Sequence, residues 1–357
     1  QTAGCFTIGL QSTDVNGCVY SGNFTLIENP KGQVNATADN AYCAGSPVTA
    51  VFDTTNPGGT TTYSWTNTNA AIGLAASGTG NISFTSTNTT NLPIQGAIVV
   101  TPTYTANGVS CPGPSDTFIV TVNPKPVIQN SSPTICSGDP FSVSPTNGGA
   151  TIVPANTTYT WTVTANANVE GESNQTTAQN SISQTLRNAT NTVQIVEYLV
   201  TPRLATSCTG TPFRVTVTVN PTPEIENTTA IICSGDPFTI SPTNTVVNGI
   251  GNIVPTGTTY TWTVAPNSNI NGETNQASPQ ANISQTLTNT SNTVQTVTYT
   301  VTPTSGAAGN CVGATFQVVV TVNPRPAIQA ETITACSNAP ITYTATNGGS
   351  NIVPTGT

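Results

Sequence analysis

The chain repeats itself with a period near one hundred residues, and that period limits what it can fold into. ICSGDPF occurs at Ile135–Phe141 and again at Ile232–Phe238. TTYTWTV occurs at Thr157–Val163 and Thr258–Val264, ISQTL at Ile182–Leu186 and Ile283–Leu287, and NTVQ at Asn191–Gln194 and Asn292–Gln295. TVNP closes each copy, at Thr218–Pro221 and Thr321–Pro324. A more diverged copy precedes these, with YCAGSPV at Tyr42–Val48, TTYSWTN at Thr61–Asn67 and TVNP at Thr121–Pro124. The leading cysteines Cys43, Cys136, Cys233 and Cys336 stand 93, 97 and 103 residues apart. Solenoid repeats are about 20–50 residues long. A period twice that length describes whole domains strung in series.

The boundaries follow from the repeat. Residues 32–124, 125–221 and 222–324 read as three complete units. Residues 325–357 read as the start of a fourth, ending on the NIVPTGT that at Asn252–Thr258 runs on into TYTWTV. Residues 1–31 read as the closing strands of a preceding unit, because NGCVYSGNFTLIENPKG lines up with GNCVGATFQVVVTVNPRP. A mature N-terminus at Gln1 is the alternative. On the first reading the chain is a window on a longer array.

Within each unit the apolar residues alternate with period two. Tyr159, Trp161 and Val163 point one way and their threonine neighbours the other. Phe213, Val215, Val217 and Val219 share a face, as do Val297, Tyr299 and Val301. Alternation in β-branched and aromatic residues marks strands with one buried face. No stretch has helical periodicity with capping residues. Six or seven such runs per unit, separated by Gly, Pro and Asn, predict an all-β fold of tandem immunoglobulin-like β-sandwiches. Trp65, Trp161 and Trp262 keep the repeat register and are expected to anchor the three cores from the third strand. VNPKP, VNPTP and VNPRP join the units; two prolines in each are expected to make a stiff, extended connector and a beads-on-a-string rod. At about 3.3 Å per strand residue, each bead should add roughly 35–45 Å.

Nine cysteines at regular spacing, with no signature of a metal site, point to an oxidising compartment and a disulfide framework. Each unit holds one cysteine near its second strand and one between its last two strands. The expected bridges are therefore Cys43–Cys111, Cys136–Cys208 and Cys233–Cys311, with Cys336 waiting for a partner. Cys5 and Cys18 either bridge each other or leave Cys18 to pair upstream.

Charge excludes several functions. Only 6% of residues are charged, and 14 acids against 6 bases leave a net charge of −8. No nucleic acid partner is expected, because nothing neutralises a phosphate backbone. No membrane insertion is expected of this segment, since no apolar run is long enough. The chain has no His, so the usual general base and metal ligand is missing, and neither enzyme activity nor a cofactor is expected. Glu172 and Glu273 recur in matching loops and read as solvated turn residues. Asp139 and Asp236 in SGDP read as turn formers, with calcium binding alongside Glu224 and Glu226 as the weaker alternative. The N-x-S/T triplets at Asn81, Asn156, Asn188 and Asn282 are ordinary in so Asn- and Thr-rich a chain.

These motifs together resemble the PKD-like repeats of very large surface and secreted proteins of Bacteroidota. The resemblance is strongest over residues 125–324 and weaker in the first unit, which lacks the Asp and the ISQTL run. It implies export by the type IX secretion system and kinship with the giant adhesins of gliding motility. DTT at Asp53–Thr55 fits that phylum's short O-glycosylation motif. The expected function is a structural stalk segment of an extracellular adhesin or surface filament. Its partners are the neighbouring repeats, and the distal surface or glycan ligand is unspecified. Lateral self-association through the threonine-rich faces stays open, as do an array of glycan-binding sandwiches and an accessory region of a secreted enzyme.

Overall fold

The computed structural model describes residues 4–204, 208–247, 250–306 and 309–356. Three β-sandwiches occupy Asn40–Asn123, Thr134–Asn220 and Thr228–Asn323. In the second, a five-stranded sheet carries the strands Thr134–Cys136, Phe213–Asn220, Gln194–Leu204, Thr157–Val163 and Gln175–Gln179, in that spatial order. The third repeats this order with Thr228–Cys233, Phe316–Asn323, Gln295–Thr304, Thr259–Val264 and Gln276–Gln280. The opposing layer is thin. It is made of short ladders such as Pro140–Val143 with Ile182–Thr185. The first sandwich keeps the same plan, with a 3-10 turn at Ala70–Ile72.

The alternation sets which faces meet. Tyr159 and Trp161 from the third strand pack with Val196, Tyr198 and Val200 from the penultimate one. Phe213, Val215, Val217 and Val219 from the closing strand complete the wall, and Phe141, Ile182 and Leu186 close the other side. The third core is built from the same positions. Trp65, Trp161 and Trp262 are 8%, 5% and 5% exposed. Each indole N–H donates to a carbonyl, of Gly80, Ser173 and Thr274 respectively.

One pairing decides where the leading cysteines lie. The opening strand runs parallel to the closing strand in every sandwich, while the other pairs in the main sheet are antiparallel. The leading cysteine therefore ends up beside the last residue of the closing strand: Cys43 opposite Asn123, Cys136 opposite Asn220, Cys233 opposite Asn323.

Outside the sandwiches, Gly4–Thr13 and Val19–Glu28 form an antiparallel hairpin that is exposed on both faces. After the third sandwich, Ala327 bridges Ile352 and Gly348 bridges Asn351. The second and third sandwiches begin the same way, with Val127 on Ile152 and Gly148 on Thr151, then Glu224 on Ile253 and Val247 on Ile250.

Buried tyrosines give the cores a pH limit. Burial pushes the Tyr260 phenol up to about 12, and it raises Tyr198 and Tyr299 with help from the nearby Glu172 and Glu273 carboxylates. A phenol harder to ionise when folded stabilises the fold fully below its unfolded value near 10. That contribution is lost as pH rises from there through about 12. Tyrosinate absorbance is expected to rise above pH 10 together with the loss of β-sheet circular dichroism. A rise completed near pH 10 with the sheets intact would contradict the burial.

Candidate functional site

The cysteines do not pair within units. Cys43 is bonded to Cys208, and Cys136 to Cys311, with Cα atoms 5.5 and 5.6 Å apart. Each bridge joins the leading cysteine of one sandwich to the closing cysteine of the next. The expected Cys43–Cys111, Cys136–Cys208 and Cys233–Cys311 bridges are replaced, and Cys111 and Cys233 are unbonded.

The reason is the parallel opening strand. It carries Cys136 to the Asn220 end of the closing strand, whereas Cys208 precedes Phe213 at the other end. Seven strand residues separate those ends, roughly 23 Å. A disulfide needs its Cα atoms within about 7 Å. Cysteines of one unit thus sit at opposite poles, and at the two junctions between the sandwiches the facing poles bring Cys43 to Cys208 and Cys136 to Cys311. The same argument removes a Cys5–Cys18 bridge: Cys5 pairs with Ile27, while Cys18 adjoins the far end of the hairpin, where Thr13 meets Val19. Cys5, Cys18 and Cys336 are unbonded and exposed.

The junction is fitted around the bridge. Cys208 and Cys311 are 1% exposed. Each lies in a C-x-G turn, a repeated triplet at Cys111, Cys208 and Cys311 with its own structural reason. The glycine N–H donates to the carbonyl of Pro102, Pro202 or Pro303. A Cβ on Gly210 or Gly313 would strike the carbonyl of Pro126 or Pro223, the second proline of the connector. Pro124, Pro126, Pro221 and Pro223 are buried. The Thr222 hydroxyl donates to the Ser137 carbonyl at 3.1 Å, across the second junction. Arg187 reaches Glu224 at 2.7 Å and Arg325 reaches Asp236 at 2.9 Å. Exposed ion pairs of this kind contribute about 0–1 kcal/mol, so the covalent bridge dominates. In the chain-entropy model a cross-link over loops of 165 and 175 residues restricts the unfolded chain by ~5 kcal/mol.

The other repeated motifs are structural. Gln184 of ISQTL accepts from the Tyr198 hydroxyl at 2.9 Å and donates to the Ser173 carbonyl at 2.8 Å; Gln285 repeats this with Tyr299 and Thr274. Glu172 and Glu273 differ from solvated turn residues. They are half-buried, and each accepts the backbone N–H of Asn166 or Asn267. Asn188, though part of an N-x-T triplet, is 1% exposed and donates to the carbonyls of Thr192 and Val219. Among the described residues, no three His, Cys, Asp or Glu side chains gather where they could hold a metal ion. No helix among them is long and apolar enough to cross a membrane.

The chain belongs to the PKD-like domain family, whose model matches residues 133–223 and again 230–326. No curated protein matches it. Among solved structures, it is similar to an I-band fragment of titin, I67–I69, at 8% identity and TM-score 0.37, over 83% of this chain and 99% of that one. It is similar to the N-terminal four Ig domains of Dscam1 isoform 1.9 at 9% identity and TM-score 0.23, over 90% and 91%. Drosophila N-cadherin EC1–4 matches at 11% identity and TM-score 0.24, over 90% and 83%.

Proposed function

We propose that this chain is a load-bearing stalk segment of a large extracellular adhesin or surface filament, and that its units are those bounded at residues 32–124, 125–221 and 222–324. The observation that carries the reading is the bonding of two leading cysteines, Cys43 and Cys136, each to the next sandwich. Bridges inside a domain would protect each bead. Bridges across junctions instead hold successive domains together, which suits a chain under tension. Two disulfides support an oxidising compartment, outside the reducing cytosol. A scaffold role rather than catalysis fits a family of β-sandwich domains in which the repeated tryptophan, ISQTL and C-x-G motifs all support packing.

The finer reading rests on the resemblance of the repeats: an adhesin of Bacteroidota, exported by the type IX system and serving attachment or gliding. Electron microscopy of the protein sheared from its native cells tests the stalk. Threads with a bead every 35–45 Å, roughly as strand length requires, are expected. Wide multi-chain fibres would turn the proposal toward lateral assembly. A compact particle would end it and favour an enzyme accessory.

A further inference from the structure

Cys43, Cys136 and Cys233 occupy one structural position, at the end of the opening strand and opposite the closing asparagine. Two of the three are bonded to the C-x-G turn of the following sandwich and are half-buried. Cys233 is unbonded and exposed.

Its surroundings differ in the same sense. At the two bridged junctions both connector prolines are buried; beyond Cys233, Pro324 is half-buried and Pro326 is exposed. Asn220 beside Cys136 is 1% exposed and lies against Gly309 of the next sandwich, while Asn323 beside Cys233 is half-buried. Next to Cys233, Ser234, Gly235, Asn289, Arg325 and Asn351 line an open cleft of about 710 Å³. A thiol in the bonding position, an uncovered connector and an open cleft coincide at this pole.

We propose that Cys233 is a docking and cross-linking site for the C-x-G turn of a complete PKD-like unit built on residues 325–357. Those residues already make the bridges that open the second and third sandwiches, so a unit built on them starts as those two do. The site does not depend on the stalk reading. It is a property of the fold, and it would hold for an enzyme accessory as well.

The chemistry is thiol–disulfide exchange. Oxidised glutathione, or a protein disulfide oxidant, first forms a mixed disulfide with one cysteine and releases one thiol. The partner thiolate then attacks and expels the second. Two S–H bonds and one S–S bond are consumed; one S–S bond and two S–H bonds form. The two cysteines are oxidised and the oxidant takes up the two electrons and two protons.

The test uses the chain's own residues. NIVPTGT at the C-terminus matches Asn252–Thr258, so a copy of residues 259–324 can be appended after Thr357. The appended copy carries Val312→Leu as a mass tag, at a position that is 62% exposed in the third sandwich. The extended chain is folded in a glutathione buffer and mapped by mass spectrometry without reduction. The expected result is a peptide joining Cys233 to the tagged cysteine, with loss of iodoacetamide labelling at Cys233 and retained labelling at Cys336. A tagged cysteine bonded to Cys336 overturns the proposal, and so does a Cys233 that stays alkylatable. Cys233 joined to Cys111 of a second molecule also overturns it, because the occupant would then be another chain. The unextended chain supplies a second reading should the extension fail to fold. Its Cys233 must be alkylatable and Cys136 must be joined to Cys311; a Cys233–Cys311 peptide there sinks the proposal.

Discussion

Pulled from Gly32 and Pro324, the three sandwiches are expected to release only about a third of their chain while both disulfides stand. The covalent route enters at Gly32, crosses from Cys43 to Cys208, runs back through the second sandwich to Cys136, and crosses to Cys311. That is roughly one hundred residues of the nearly three hundred between the handles. At about 3.4 Å per extended residue, the ceiling is ~330 Å, against ~1,000 Å for the free chain. Single-molecule extension with and without a thiol reductant reads the difference as a near-threefold gain in contour length. The single exchange Cys43→Ser should fall between the two. Full extension of the oxidised protein would show that the cross-junction bridges do not form.

A pulling force on the oxidised chain therefore meets a chain that can yield but cannot release its whole length. The middle sandwich is loaded between its own two cysteines, at opposite ends of Phe213–Asn220. A bridge inside each unit would have shielded that unit and left the connectors to bear the load alone.

How much of this could be read from residues alone depended on the direction of one strand. Period-two alternation at Tyr159, Trp161 and Phe213–Val219 identified the buried faces, because a pleated strand allows only two. Repetition located the cysteines. Their pairing did not follow from spacing, since Cys136 and Cys208 are 72 residues apart on either topology. What decides is that Thr134–Cys136 runs parallel to Thr218–Asn220, a three-residue ladder with no mark of its own in the sequence. The C-x-G triplets at Cys111, Cys208 and Cys311 were the available clue: a glycine kept two residues after each closing cysteine signals close backbone approach. Asn188 was hidden for a different reason. Its N-x-T triplet suits an exposed loop, while its burial goes with the Thr192 and Val219 carbonyls it donates to, which only the fold brings together.

Replacement of Trp161 by alanine is expected to destabilise the second sandwich severely and leave the stability of its neighbours unchanged. The indole is 5% exposed, packs within the cluster of Tyr159, Tyr198 and Phe213, and donates to the Ser173 carbonyl at 3.1 Å. Losing an aromatic side chain of this burial costs about 3–5 kcal/mol, transfer and cavity together. Domains of this size hold ~5–15 kcal/mol in all, so the change removes a large part of what keeps the unit folded. Trp161→Phe keeps most of the apolar volume. The Ser173 carbonyl it abandons still receives the Gln184 amide, so the loss should be about 1 kcal/mol. The chain has three tryptophans, one per sandwich, which makes the readout local. In the alanine variant, fluorescence reports only Trp65 and Trp262, and its urea midpoint should match that of the parent's outer units. Circular dichroism, which sees every sheet, should show an earlier transition. If fluorescence moved with circular dichroism by the full amount, the sandwiches would be one cooperative body, and the bridges would couple their folding as well as their positions.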